Sequence, residues 1–247
     1  MGFVVSYDVY TDAGSRAVNE DSIRAFTKDE DYGFVLCDGL GGMGMGDLAS
    51  QLVVSVFQDM FLKSDEKVKK FLPVAFQAAQ DVLTGEQIRL NARQRMKTTA
   101  VSVVMDKKHA YIGHIGDSRL YVFQDNKILK RTLDHSIPQM LALTGEISES
   151  DIRHHKNRSI LLRTMGVEWE EPMYEIMKPI SLSKCNAMLL CSDGFWELIE
   201  DDEMCITLAR SGNPREWLEQ MAAIVNERGQ GTDMDNNSAI AIWITKG

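Results

Sequence analysis

Cysteine is scarce in this chain and badly spaced for chemistry. Only Cys37, Cys185, Cys191 and Cys205 occur in 247 residues, and no two form a C-x-x-C pair. That argues against a zinc ribbon and against a disulfide framework. Cys37 and Cys191 stand inside apolar runs and read as small buried residues. A reducing cytoplasm is the expected setting. Positive charge is also short: 27 Lys and Arg face 36 Asp and Glu, for a formal net charge of -9. A nucleic-acid partner needs a basic patch, so none is expected. No stretch of about 18 uncharged apolar residues appears, so no membrane span is expected. The first residues lack a basic segment followed by an apolar one, so no signal peptide is expected either. Met1-Gly2 formally opens a myristoylation pattern. The run Phe3 to Tyr10 reads instead as a first strand, and burying Gly2 beside it would block an acyl chain.

Proline is rare, at five residues, and no Pro/Gly/Ser linker, repeat or low-complexity tract is present. One compact domain over residues 1–247 is the simplest reading. Short runs rich in β-branched and aromatic residues, bounded by turn formers, predict strands. They are Phe3–Tyr10, Ser22–Thr27, Tyr32–Cys37, Thr98–Met105, Ala110–Ile115, Leu120–Phe123, Lys127–Lys130, Met173–Lys178, Ala187–Cys191 and Ala239–Thr245. Asp106-Lys107-Lys108 and Gln124-Asp125-Asn126 read as hairpin turns. A helix with Asp47 as N-cap is expected, then a second from about Glu66 to Leu90, broken near Pro73. A C-terminal helix should start at the Asn213-Pro214-Arg215-Glu216 capping box and close at Gly229. The order is not a regular βαβ alternation, which disfavours a doubly wound parallel sheet. An α+β fold is expected, with mostly antiparallel sheets packed face to face and helices outside. The polar stretch from about Leu133 to Glu171 is expected to form a flap.

Acidic residues are present where apolar runs end. Asp38 follows Phe34–Cys37, Asp193 follows Leu189–Ser192, Asp117 follows Ile115-Gly116, and Asp235-Asn236 opens the last strand. Glu20-Asp21 adds a fifth acidic point. Carboxylates meeting at strand ends repel unless a hard cation holds them. Each aspartate alone also reads as a turn or cap residue; the set together suggests a magnesium or manganese centre and a reaction on phosphate. Gly39 lets the backbone approach closely, so its carbonyl could ligate. No G-x-x-x-x-G-K-[ST] occurs, which disfavours a nucleotide P-loop. Arg16 offers a fork suited to a phosphate dianion, or a salt bridge to Glu20 or Asp21. Arg119 could orient carboxylates from behind the site. His114, inside a strand, reads as a satisfied core residue, and His135 as part of a helix-start turn. Ser118 and Ser192 lack the partner order of a serine nucleophile.

Taken in order, R16-x-x-N-E-D21, D38-G-L-G-G42, G116-D-S-R119, L133-x-D-H-S136, S192-D-G194 and D235-N236 resemble the motif series of the metal-dependent protein phosphatase 2C family. The flap pattern L141-x-x-x-G145, His155 and R158-x-x-x-L162-x-R-x-x-G166 resembles its bacterial-type members. The resemblance implies an α-β-β-α sandwich with a binuclear Mn2+ or Mg2+ centre. It implies that Asp38 bridges both ions and Gly39 offers its carbonyl. Asp193 and Asp235 would ligate one ion, with Glu20 direct or through water and Asp21 holding bound water. Asp117 with Asp193 would form a weaker third site, and Arg16 would hold the phosphate. A hydroxide shared by the ions would attack phosphoserine or phosphothreonine in proteins. Phosphoproteins and an opposing Ser/Thr kinase are the implied partners, with the phosphatase a monomer. There are departures. Leu40 stands where animal members carry a histidine, Lys97 where glycine usually precedes the threonines, and His154-His155 where histidine-proline is usual. A catalytically silent, partner-binding relative is the rival expectation, and a phosphodiesterase or nucleotidase a third.

Overall fold

The computed structural model describes residues 3–40, 44–64 and 67–247. Gly2, the glycine pair Gly41-Gly42, Met43 and Glu66 lie outside the described residues. Two sheets form the centre, and every strand pairing in them is antiparallel. The first holds β1 (Phe3–Asp12), β11 (Asn237–Lys246), β10 (Ala187–Cys191), β6 (Arg119–Gln124) and β7 (Lys127–Arg131), in that spatial order. The second runs β2 (Asp21–Lys28), β3 (Asp31–Asp38), β4 (Ala100–Met105), β5 (His109–Ile115) and β8 (Glu175–Ile176). A two-residue strand, β9 (Ile180–Ser181), also pairs β5.

The period of two sorts side chains into three apolar layers. Phe34 and Leu36 of β3 face inward with Val101 and Val103, against Leu120, Val122, Leu190 and Ile240 of the other sheet. Val35 and Cys37, one residue out of phase, face the helices α1 (Gly46–Lys63) and α2 (Phe71–Arg89). On the opposite outer face, Tyr121, Phe123, Leu189 and Cys191 meet α4 (Asp193–Trp196), α5 (Asp201–Arg210) and α6 (Pro214–Gly229). The central strands are covered on both faces, which explains their unbroken apolar runs. The result is the expected α-β-β-α sandwich. No helix among the described residues is long and apolar enough to cross a membrane.

Local chemistry sets the element ends, sometimes against expectation. Asn213 caps α6, accepting from the Glu216 N–H at 3.0 Å, with Pro214 at the first helical position. Gly229 is the last helical residue and not a left-handed cap. A β-carbon there would lie 2.2 Å from Met234 Sδ, so any side chain at this position would have to displace the Met234 side chain. Asp47 is not the cap of α1 either: the helix begins at Gly46, and Asp47 sits in its first turn. Pro73 does not break α2, because it falls in the first turn, where no backbone donor is required. Of the run Met173–Lys178 only Glu175–Ile176 pairs as strand. The flap contains α3 (Ile137–Thr144), capped by Ser136 and ended by Gly145 at φ 78°, and a short 3-10 helix over Glu149–His154. α5 is not announced by an apolar stripe; the Glu200/Glu203 capping box starts it.

Candidate metal centre

The sheet order carries distant acidic residues to one end of the sandwich. β3 ends on Asp38, and Asp193 begins α4 directly after β10. Asp117 lies in the tight β5–β6 loop, and Asp235 stands just before β11. Asp38, Asp117, Asp193, Asp235, Glu20 and Arg16 all line one cavity of about 480 Å3, which Gly39 also borders. Ser159 and Leu161 bring the flap to its rim. Asp21 does not line it. Asp21 is buried just behind, where its Oδ2 accepts from Ser192 Oγ at 2.8 Å.

Hydrogen bonds fix the backbone around Asp38. Thr98 Oγ1 and the Thr99 N–H donate to its carbonyl at 2.7 and 2.8 Å. Its own N–H donates to Thr99 Oγ1 at 3.0 Å, and that hydroxyl meets Ser118 Oγ at 2.7 Å. The ends of β3, β4 and the Asp117 loop are thereby tied together. Glu20 accepts from the Gly46 and Asp47 N–H groups at the start of α1, where the helix dipole favours negative charge. A β-carbon on Gly46 would lie 2.7 Å from the Gly39 carbonyl carbon and 3.0 Å from Glu20 Oε1. Gly46→Ala should therefore push Gly39 and Glu20 apart. It should cost about 1–3 kcal/mol in urea unfolding and lower activity together with stability.

Asn236 latches the segment before β2: its Oδ1 accepts from the Glu20 N–H at 2.8 Å. Its Nδ2 donates to the carbonyls of Ala13 and Val18 at 2.9 and 3.0 Å. Arg16 does not pair with Glu20 or Asp21. Its Nε donates to Asp235 Oδ1 and its Nη1 to Asp233 Oδ2, both at 3.2 Å, with 42% of the side chain exposed. Arg119 is buried. It makes a buried two-pronged pair with Asp134 (2.8 and 2.7 Å) and lies 3.4 Å over the Trp196 ring. Trp196 in turn donates from Nε1 to the Asp117 carbonyl at 3.0 Å. Glu197, which no sequence motif marks, is half-buried near Asp193 and held by Arg158 at 2.8 Å.

Burial and mutual repulsion dominate the electrostatics. Burial first, then Asp193, Asp21 and Asp117, hold the Asp38 carboxyl well above its ordinary range. Asp117 is pushed up by burial and then Asp193, and Asp193 by burial and then Asp235. Burial lifts Asp21 to about 7 despite hydrogen bonds from Ser192 and Ser238. Burial and then Asp193 lift Glu197 to about 7. Asp21 Oδ1 is buried with no hydrogen-bond partner. An all-oxygen, multiply anionic donor set suits hard divalent cations and not soft ones.

Helices cover a pair of antiparallel sheets, and carboxylates gather at one end, which defines an α-β-β-α sandwich with an acidic site suited to divalent cations. The protein phosphatase 2C family model matches residues 12–237. The serine/threonine phosphatase stp of Listeria welshimeri is 35% identical over 204 residues, covering 78% of this chain and 79% of that protein. The crystal structure of the serine/threonine phosphatase Stp1 from Staphylococcus aureus superposes with a TM-score of 0.90 at 26% identity, covering 100% of this chain and 97% of that one. The catalytic domain of the serine/threonine phosphatase PstP, in complex with two manganese ions, superposes at 0.81 with 23% identity. It covers 99% of this chain and 100% of that one, and it speaks for the fold alone. The chain belongs to the protein phosphatase 2C family, and with it to the protein serine/threonine phosphatases.

Proposed function

We propose that this protein hydrolyses phosphoserine and phosphothreonine in proteins with divalent cations, Mn2+ or Mg2+, held in the acidic cavity. One observation carries the reading. Four aspartates far apart in sequence line a single cavity with Glu20 and Arg16, and like charges so placed need a cation. Asp38, at the end of β3, would be shared by two ions, with the Gly39 carbonyl beside it. Asp193 and Asp235 would complete one ion's shell, Glu20 directly or through water. Asp21, one oxygen free, would orient a water from behind, and Asp117 with Asp193 would hold a weaker third ion. Ions bound there supply Lewis acidity and acidify water. Arg16, turned from Asp233 and Asp235, would grip the phosphate by a two-pronged contact. Ser159 and Leu161 of the flap would border the peptide. Phosphoproteins made by an opposing Ser/Thr kinase are the proposed substrates. A single-domain cytoplasmic monomer is the proposed form.

The retained carboxylate set favours an active enzyme over a silent relative. The test compares phosphothreonine peptide, p-nitrophenyl phosphate and nucleotides with Mn2+, then with excess chelator. Turnover of the peptide and the aryl phosphate should fall at least about 100-fold on chelation. Turnover that survives chelation, or a preference for nucleotides, would overturn the proposal.

A further inference from the structure

Behind the metal cavity lies a histidine pair that the chemistry above does not use. His114 of β5 and His135 of the flap stack at 4.7 Å between ring centroids, 13° from parallel. One ring nitrogen each of His114 and His135 and a Glu175 oxygen lie within 4.8 Å of one another, and His114 Nδ1 and His135 Nε2 are buried without a hydrogen-bond partner. Taken by distance alone, this is a two-histidine, one-carboxylate metal site.

The hydrogen bonds argue otherwise. The backbone N–H of Gly116 donates to His135 Nδ1 at 3.2 Å. An amide N–H only donates, so Nδ1 must carry the lone pair and Nε2 the proton. A protonated Nε2 has no lone pair left for a metal. Nearly parallel, stacked rings also cannot aim their in-plane lone pairs at one ion. What remains is a brace. The His135 N–H donates back to the Gly116 carbonyl at 2.9 Å, and the His135 carbonyl accepts from the Leu162 N–H at 2.8 Å. One residue therefore ties the Asp117 loop to the returning flap segment, whose Ser159 and Leu161 line the cavity. Gly116 itself sits at φ 101°, and a β-carbon there would strike Thr99 at 2.6 Å, so the loop packs closely against the Thr99 side chain. His114 fixes the brace from the other side, its Nε2 hydrogen-bonded to the Leu133 carbonyl at 2.8 Å.

We propose that His135 is a positioning residue that places Asp117 for metal binding and couples that place to the flap. The inference rests on the reading of Asp117 as a ligand. Asn can present an acceptor where Nδ1 stands, whereas Phe keeps the ring and loses the acceptor. His135→Phe should speed hydrogen exchange at the Gly116 amide about tenfold. It should also raise the half-saturating Mn2+ concentration about tenfold, as loss of an outer-shell support does. His135→Asn should return both to within about threefold of wild type. In the unaltered protein, 15N NMR should show His135 protonated at Nε2 and bare at Nδ1, a readout that does not depend on a folded variant.

Asp117→Asn serves as the reference. If it shifts the Mn2+ dependence while His135→Phe changes neither exchange nor metal dependence, the positioning role is overturned. If His135→Phe loosens Gly116 but neither variant alters the Mn2+ dependence, the ligand reading of Asp117 fails and the loop brace stands. A proton on Nδ1 would overturn the brace. So would stoichiometric Zn2+ binding that His114→Ala abolishes, because a bare His135 Nε2 would put the proton on Nδ1, where the Gly116 N–H points.

Discussion

Asp38→Asn should abolish turnover and at the same time raise the melting temperature of the metal-free protein. The two effects have one cause. Asp38 is partly buried at the cavity wall, and burial with the nearby Asp193, Asp21 and Asp117 holds its carboxyl well above the usual range. Each pKa unit of such a shift measures about 1.4 kcal/mol of unfavourable interaction with the ionised form. Asparagine keeps the shape, removes the charge and relieves the repulsion on its neighbours. It also removes the anion proposed to be shared by both ions. Loss of one such electrostatic anchor should lower kcat by at least about 100-fold. Thermal melts with chelator and phosphopeptide turnover with Mn2+ check the two halves. Reduced activity with reduced metal-free stability would mean that Asp38 acts in folding and not as a strained ligand.

Such opposed effects also explain why the site is only half legible in sequence. Asp38, Asp117, Asp193 and Asp235 show themselves because each ends an apolar run, a local signal. Their convergence is not local. It depends on β11 lying between β1 and β10, and on β3 lying between β2 and β4, as sheet order places them. Arg16 illustrates the limit. Its spacing from Glu20 suggests a local pair, yet its partners Asp233 and Asp235 lie more than 200 positions along the chain. Arg119 is similar: next to Asp117 in sequence, it turns to Asp134 because that side of β6 faces the Trp196 layer. Glu197 has no motif at all, and the Thr99–Ser118 contact joins two motifs whose pairing neither one announces, since both roles arise only when β10, β4 and the β5–β6 loop pack together. The fold itself is more legible. Strands covered on both faces read as solid apolar runs, and turn residues mark their ends. The short strand β8 departs from its expected length: it pairs β5 only at Gly113 and His114, and β9 pairs the other end of β5 at His109 and Ala110.

Metal binding and pH should act on stability in opposite directions. Asp21 and Glu197, with ordinary values of 3.8 and 4.5, stand near 7 in the folded chain. Between those limits the folded state holds protons that the unfolded chain has released. Unfolding free energy must then fall as pH rises, so the metal-free protein should be less stable at pH 7.5 than at pH 5. Asp38, Asp117 and Asp193, shifted in the same direction, add to the slope. A divalent cation binds the ionised form and must displace those protons, so its affinity rises with pH. At a concentration 100 times its dissociation constant it should add about 2.7 kcal/mol, or roughly 5–10 °C for a chain of this size. The Mn2+-induced rise in melting temperature should be of that size at pH 7.5 and shrink to within about 2 °C at pH 5. Differential scanning calorimetry across pH 5–8, with Mn2+ and with chelator, measures both slopes. A metal-free protein that grows more stable toward pH 7.5 would show that the buried carboxyls are already ionised and balanced by the chain's own cations. The case for an ion-filled cavity would then lose its electrostatic basis.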